Sequence, residues 1–84
     1  MTENLTVLGI KIDDRVKEAG EVQKVLTQFG CSIKTRIGLH EVSNDFCSTS
    51  GLIILELFGP KEEQIKLHES LQKIQGTLIR KMDF

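Results

Sequence analysis

Regular patterning of hydrophobic and polar positions begins at Leu5. In LTVLGIKI, residues 5–12, apolar side chains fall on both faces of an extended segment, Leu5 and Val7 on one and Leu8, Ile10 and Ile12 on the other, which predicts a strand. DDRVKEAGEVQKVLTQFG then changes period: Val22, Val25, Leu26 and Phe29 recur at helical spacing, with Val16 and Ala19 one turn earlier. Asp13 or Asp14 suits the N-cap, where a carboxylate accepts from orphan N–H groups at the positive end of the dipole. Gly30 suits a left-handed residue closing the helix. CSIKTRIGLHEV returns to period two. Cys31, Ile33, Thr35, Ile37 and Leu39 fall on one face, and Ser32, Lys34, Arg36, Gly38 and His40 on the other. That polar set suits a sheet edge. SNDFCSTSG reads as a loop by composition, and LIILELF, residues 52–58, as a central strand because it is nearly all apolar. In GPKEEQIKLHESLQKIQG, Pro60 suits the first helical position, Glu62 and Glu63 the first turn, Leu67, Leu71 and Ile74 the buried stripe, and Gly76 the stop. Ile65 lies off that stripe, and TLIRKMDF is the last strand.

The order β-α-β-β-α-β is the split βαβ, ferredoxin-like plan, an α+β sandwich in which residues 1–84 form a single domain. Right-handed crossovers put both helices on one face of a four-stranded antiparallel sheet. The opposite face then carries Leu5 and Val7 from the first strand, and Leu52, Ile54, Glu56 and Phe58 from the third. A patch of that size on a small protein calls for a cover. A second copy of the chain supplies one, so Leu5, Val7, Leu52, Ile54 and Phe58 are the expected oligomer interface of a dimer or tetramer. A chain of 84 residues buries only roughly 60% of its unfolded surface, which adds weight to that expectation.

Charge removes some functions. Eleven basic residues against twelve acidic ones leave no footprint for phosphate neutralisation, so no nucleic acid is expected to bind the chain on its own. No apolar run approaches the roughly 20 residues that span a bilayer, and no secretory signal is visible, so no membrane partner is expected. Cys31 and Cys47, dispersed and outside any CxxC pair, read as reduced thiols in a cytoplasm.

Candidate chemistry is sparse. No nucleophile, base and orienting acid occur at a recognisable spacing, and the GxSxG, HExxH and phosphate-loop motifs are missing, so the chain is not expected to be an enzyme or to carry a cofactor. The alternative is a transition-metal site built on His40 and Cys47, whose donors suit zinc, nickel or copper. Two ligands are too few for one site, so a subunit interface must add the rest. An anionic small ligand is the remaining candidate, with Asp13, Asp14 and Arg15 at the first strand-to-helix turn and Arg36 beside Lys34 on the second strand. The same residues also read as a helix cap and solvated edge charges. His68 reads as a solvent-facing helix residue. Gly20, inside the first helix, marks either a close backbone approach or a tolerated defect.

LIILELFGPKEEQIKLHESLQKIQGTLIRKMDF, with its GP, charged amphipathic helix, QG and final strand, resembles the ACT-like regulatory half of nickel-responsive repressors. The whole chain, from TVLGIKIDDR through TRIGLHEV to Met82, is more similar to short stand-alone iron-only hydrogenase system regulators. The resemblance implies an ACT-like sandwich and a non-catalytic regulatory or assembly role exerted by a ligand or protein partner at a subunit interface. It places His40 and Cys47 near one histidine and the cysteine of the repressors' metal site, while Gly38 and Val42 stand where a His-x-His pair would need its second histidine. The repressors' DNA-binding segment precedes this domain, whereas four residues precede the first strand here, so operator binding by this chain alone is not expected.

Overall fold

The computed structural model describes residues 5–12, 15–42 and 47–84, and of residues 15–19, 39–42 and 47–50 the backbone alone. The elements run β1 (Thr6–Ile12), α1 (Arg15–Gln28), a 3-10 turn (Gly30–Ser32), β2 (Ile33–Val42), β3 (Cys47–Leu57), α2 (Lys61–Gln72) and β4 (Thr77–Asp83). One antiparallel sheet has the order β2-β3-β1-β4. This is the α+β, ferredoxin-like, ACT-like sandwich.

Alternation decides which face is covered. Leu8, Ile10 and Ile12 of β1, with Leu55 and Leu57 of β3, form one buried cluster with Val22, Leu26 and Phe29 of the first helix layer and Leu67, Leu71 and Ile74 of the second. Both helices therefore pack on the same side of the sheet. Ile74 lies two residues past α2, so the apolar stripe outlasts the helix. Gly76, at φ +84°, then turns the chain toward β4, and the Thr77 hydroxyl donates to the Ile74 carbonyl at 2.7 Å, satisfying a carbonyl that the ended helix leaves open. Pro60 is the N-cap in extended conformation rather than the first helical residue. Gly59, at φ +90°, makes the tight turn before it, and its carbonyl accepts from Gln64 Nε2 at 2.8 Å.

Three local expectations are corrected. Gly30 is not left-handed: the chain tightens into a 3-10 turn in which the Ser32 N–H donates to the Phe29 carbonyl at 2.8 Å. That bond does the work of a left-handed cap. It also rotates the start of the second strand, leaving Cys31 exposed and Ser32 buried. Secondly, β2 does not keep one apolar face. Ile33 pairs with Leu57 but Thr35 pairs with Glu56, so a bulge lies between them. The extra residue reverses the alternation. Ile33 packs against the core, while Ile37 lies on the other face, 50% exposed. Thirdly, β3 begins at Cys47, so residues 47–51 of the expected loop are strand. β1 pairs with β3 only from Gly51 to Glu56, so the chain from Cys47 to Ser50 projects beyond β1 as an arm paired with β2.

Candidate functional site

The helix-free face of the sheet can be built up row by row from the register. One row across the strands reads Thr35, Glu56, Val7, Met82; the next reads Ile37, Ile54, Gly9, Arg80. A third reads Leu52, Lys11, Leu78, with Leu39 paired to Leu52 at its outer end. The predicted Val7, Leu52 and Ile54 thus share one face. Leu5 precedes β1 and Phe58 follows β3; together they line a groove with Lys34, Glu56 and Lys61 at one end of the sheet. Ile37, Leu78 and Met82 extend the apolar surface over both edge strands, each at least half exposed. Sequence reading missed these three. The signal for Leu78 and Met82 was the alternation within TLIRKMDF; for Ile37 the bulge hid it.

Gly9 sits at the centre of this face. A Cβ there would meet only Ile54 Cδ1, at 3.9 Å, an ordinary contact. Nothing inside the described part of the protomer requires glycine at this position. A glycine inside a strand often marks a bulge, a tight bend or a close approach by another backbone or a ligand, and the register through Gly9 is regular on both sides. At the rim, Glu56 accepts from the Thr35 hydroxyl at 2.8 Å and lies 3.9 Å from the Lys34 ammonium.

The other sequence-derived candidates are scattered. Asp13 and Asp14 lie outside the described residues. Arg15 opens α1, and its side chain is outside the described set. Arg36 is exposed and pairs with Leu55, whereas the end of β1 at Ile12 lies level with Gly51 and His40. The rise along a strand puts Arg36 roughly 13 Å from that level. His40 pairs with Gly51 and Cys47 with Val42, with a second irregularity between the two pairs, so the two are not cross-strand partners. Their side chains lie outside the described set. Among the described residues there is no group of three or more His, Cys, Asp or Glu positioned to hold a metal ion.

A cleft of ≈ 450 Å3 opens on the helix side, between α2 and the edge formed by β1 and β4. Lys61, Gln64, Ile65 and His68 line it from α2, spaced along one helical stripe. Thr6 lines it from β1; Lys81, Asp83 and Phe84 line it from the end of the chain. The buried Thr6 hydroxyl donates to Asp83 Oδ1 at 2.6 Å and accepts from the Lys61 ammonium at 3.4 Å. The Lys81 ammonium lies 3.4 Å from Asp83 Oδ2. The Thr6 hydrogen bond is the main cause holding the Asp83 carboxyl below its ordinary range. Burial, then the nearby Lys81 cation, pushes the His68 imidazole below its ordinary value. His68 is half-buried and holds its proton less readily than a free imidazole, and the expectation of a solvent-facing residue is corrected.

No family model matches the chain, and no curated protein matches it in sequence. Solved structures do match in fold. An uncharacterized protein from Thermotoga maritima superposes with TM-score 0.80 at 24% identity, covering 98% of this chain and 99% of its own. The ACT domain from the GTP pyrophosphokinase of Chlorobium tepidum gives 0.63 at 16% identity, covering 93% and 96%. The apo form of CPII, a nitrogen regulatory PII-like protein from Thiomonas intermedia, gives 0.59 at 20% identity, covering 98% and 90%.

Proposed function

We propose that the chain is a non-catalytic regulatory domain of the iron-only hydrogenase system regulator type, acting through reversible self-association. The observation that carries this reading is the helix-free sheet face, where Val7, Ile37, Ile54, Leu52, Leu78 and Met82 lie around Gly9 with Glu56, Lys11 and Arg80 set among them, one in each row. The shared fold with an ACT domain and a nitrogen regulatory PII-like protein supports a regulatory role. Sequence resemblance from TVLGIKIDDR to Met82 supports the link to the hydrogenase system. The spacings of a sheet give this face a footprint of roughly 400 Å2 per copy. Two copies would bury about 800 Å2 in total, below the usual range of permanent complexes, so the dimer is a concentration-dependent one. An equilibrium of that kind responds to any ligand or partner that prefers one state.

Gly9→Lys tests this reading. The protomer accommodates the new Cβ, and the ammonium projects into water from the free sheet. In the dimer it would be buried at the centre of the contact beside the like charges of Arg80 and Lys11, with no carboxylate directly opposite it in its own sheet. Light scattering after gel filtration is expected to show a two-chain mass for the wild type at high micromolar concentration and a one-chain mass for the variant. Equal masses would remove the sheet face as the interface.

A second reading, a transition-metal sensor using His40 and Cys47, draws on the register that sets Cys47 in the β2–β3 arm and His40 at its base. Elemental analysis of untagged wild type and Cys47→Ala tests it. Stoichiometric metal lost in the variant supports a sensor; metal-free wild type purified without chelators removes it.

A further inference from the structure

The two edge strands of the sheet are built differently. β2 carries two breaks in register and exposes Lys34 and Arg36. Bulges and charges of this kind discourage a further strand from pairing. β4 runs in unbroken register with β1 from Thr77 to Asp83 and contains no proline. We propose that β4 is the docking edge for an extended segment of another protein, which adds as an antiparallel strand with an acidic residue opposite Arg80 and apolar residues opposite Leu78 and Met82. The inference needs only this edge and goes beyond self-association.

Hydrogen-bond parity makes the edge available. The Phe84 N–H donates to the Leu5 carbonyl at 2.8 Å, and the register makes those two residues direct partners. The same parity turns the backbone groups of Leu78, Arg80 and Met82 toward β1. Those of Thr77, Ile79, Lys81 and Asp83 turn outward, and among the described residues no strand pairs with them. The helix layer leaves this edge open, since the cleft beside α2 reaches Lys81 and Asp83. Lysine on an edge can repel a strand. Here the Lys81 ammonium lies 3.4 Å from the Asp83 carboxylate, which offsets its charge.

Side chains choose the occupant. In the added ladder, Leu78, Arg80 and Met82 sit in the non-hydrogen-bonded pairs, where opposed side chains lie closest. Leu78 and Met82 are half exposed on the helix-free face, with Arg80 between them. On its inner side Arg80 is level with Gly9, which has no side chain to meet it. Its guanidinium instead donates to the Ile79 carbonyl at 3.0 Å, one of the outward groups, and so already lies at the open edge. A carbonyl accepts two bonds, so an incoming N–H can join that one. A carboxylate flanked by apolar groups complements all three side chains. A second copy does so less well. Twofold pairing along the whole of β4 sets Arg80 against Arg80, and like charges directly opposite destabilise a ladder.

The test uses a capped seven-residue peptide in which valine, glutamate and valine alternate with threonine. It is added at millimolar concentration to the full chain at low micromolar concentration, where the sheet face is free, so the outcome is independent of self-association. Residue-resolved amide hydrogen exchange is the readout. Without peptide, Leu78, Arg80 and Met82 should exchange slowly and Ile79, Lys81 and Asp83 fast. Saturating peptide should slow the second set, and N-methylation of the peptide's threonine amides should abolish that protection. Lysine in place of the peptide's glutamate should raise Kd about fivefold, and Arg80→Glu should reverse the preference. The wild-type exchange pattern decides alone should the variant fail to fold. Absence of saturable protection, protection confined to β2, or indifference to the peptide's charge would overturn the proposal. Protection of the outward amides that rises with protein concentration without peptide would also overturn it, assigning the edge to a second copy.

Discussion

Gly20 and His68 show how single residues take their meaning from what surrounds them. Gly20 lies exposed inside α1, and a Cβ built there meets nothing within 4 Å. Of the two readings its sequence context allowed, close backbone approach finds no neighbour among the described atoms, and the helix carries a plain entropic defect. Gly20→Ala is therefore expected to stabilise the protein by about 0.5–1 kcal/mol in urea denaturation. Destabilisation would show that something packs there after all. His68 carries a pH dependence. Its folded-state pKa lies below the ordinary 6.5, so between the two values the unfolded chain binds more protons and stability rises with pH. The contribution is complete above 6.5 and is lost as pH falls through the folded value. Thermal unfolding should show wild type losing stability on acidification below 6.5, and His68→Gln losing less over the same window. Parallel curves would contradict the burial described for this side chain. Spacing along α2 contained the signal for His68, since Lys61, Ile65 and His68 share a stripe. What it could not show was that β4 returns beside that stripe with Lys81 and Asp83.

At the scale of elements, sequence reading succeeded where period alone decides and failed where hydrogen bonding overrides it. The stripe of Val22, Leu26 and Phe29, the stripe of Leu67, Leu71 and Ile74, and the central strands are as their periods predict. β2 was misread because strict alternation over CSIKTRIGLHEV conceals a bulge. Pairing with β3 creates that bulge, and pairing is not local information. The polar run at residues 47–51 was read as loop for the same reason: its strand character comes from the neighbouring β2. Two substitutions separate the consequences. Leu67→Ala empties a fully buried position between helix and sheet and should cost about 3 kcal/mol in urea denaturation. Ile37→Thr should cost less than about 0.5 kcal/mol under dilute, monomeric conditions, because the bulge has already put that side chain in water. A core-sized loss at Ile37 would contradict the register described for β2.

For the whole molecule, the sandwich has two sides of different make-up. The helix side encloses the core and, at the β4 edge, the cleft lined by Lys61, His68, Lys81 and Asp83. The other side presents apolar residues from all four strands, one charged residue in each row, and glycine at their centre. The existence of that face was legible from Leu5, Val7, Leu52, Ile54 and Phe58, because strand order and alternation follow from the βαββαβ plan. Its full breadth was not, because two edge strands contribute to it only once paired. Self-association through this face is the claim on which the regulatory reading depends, and sedimentation equilibrium of the wild-type chain from low to high micromolar concentration tests it most directly. A weight-average mass rising from one chain toward two is the predicted result; the mass of a single chain across the whole range would contradict it.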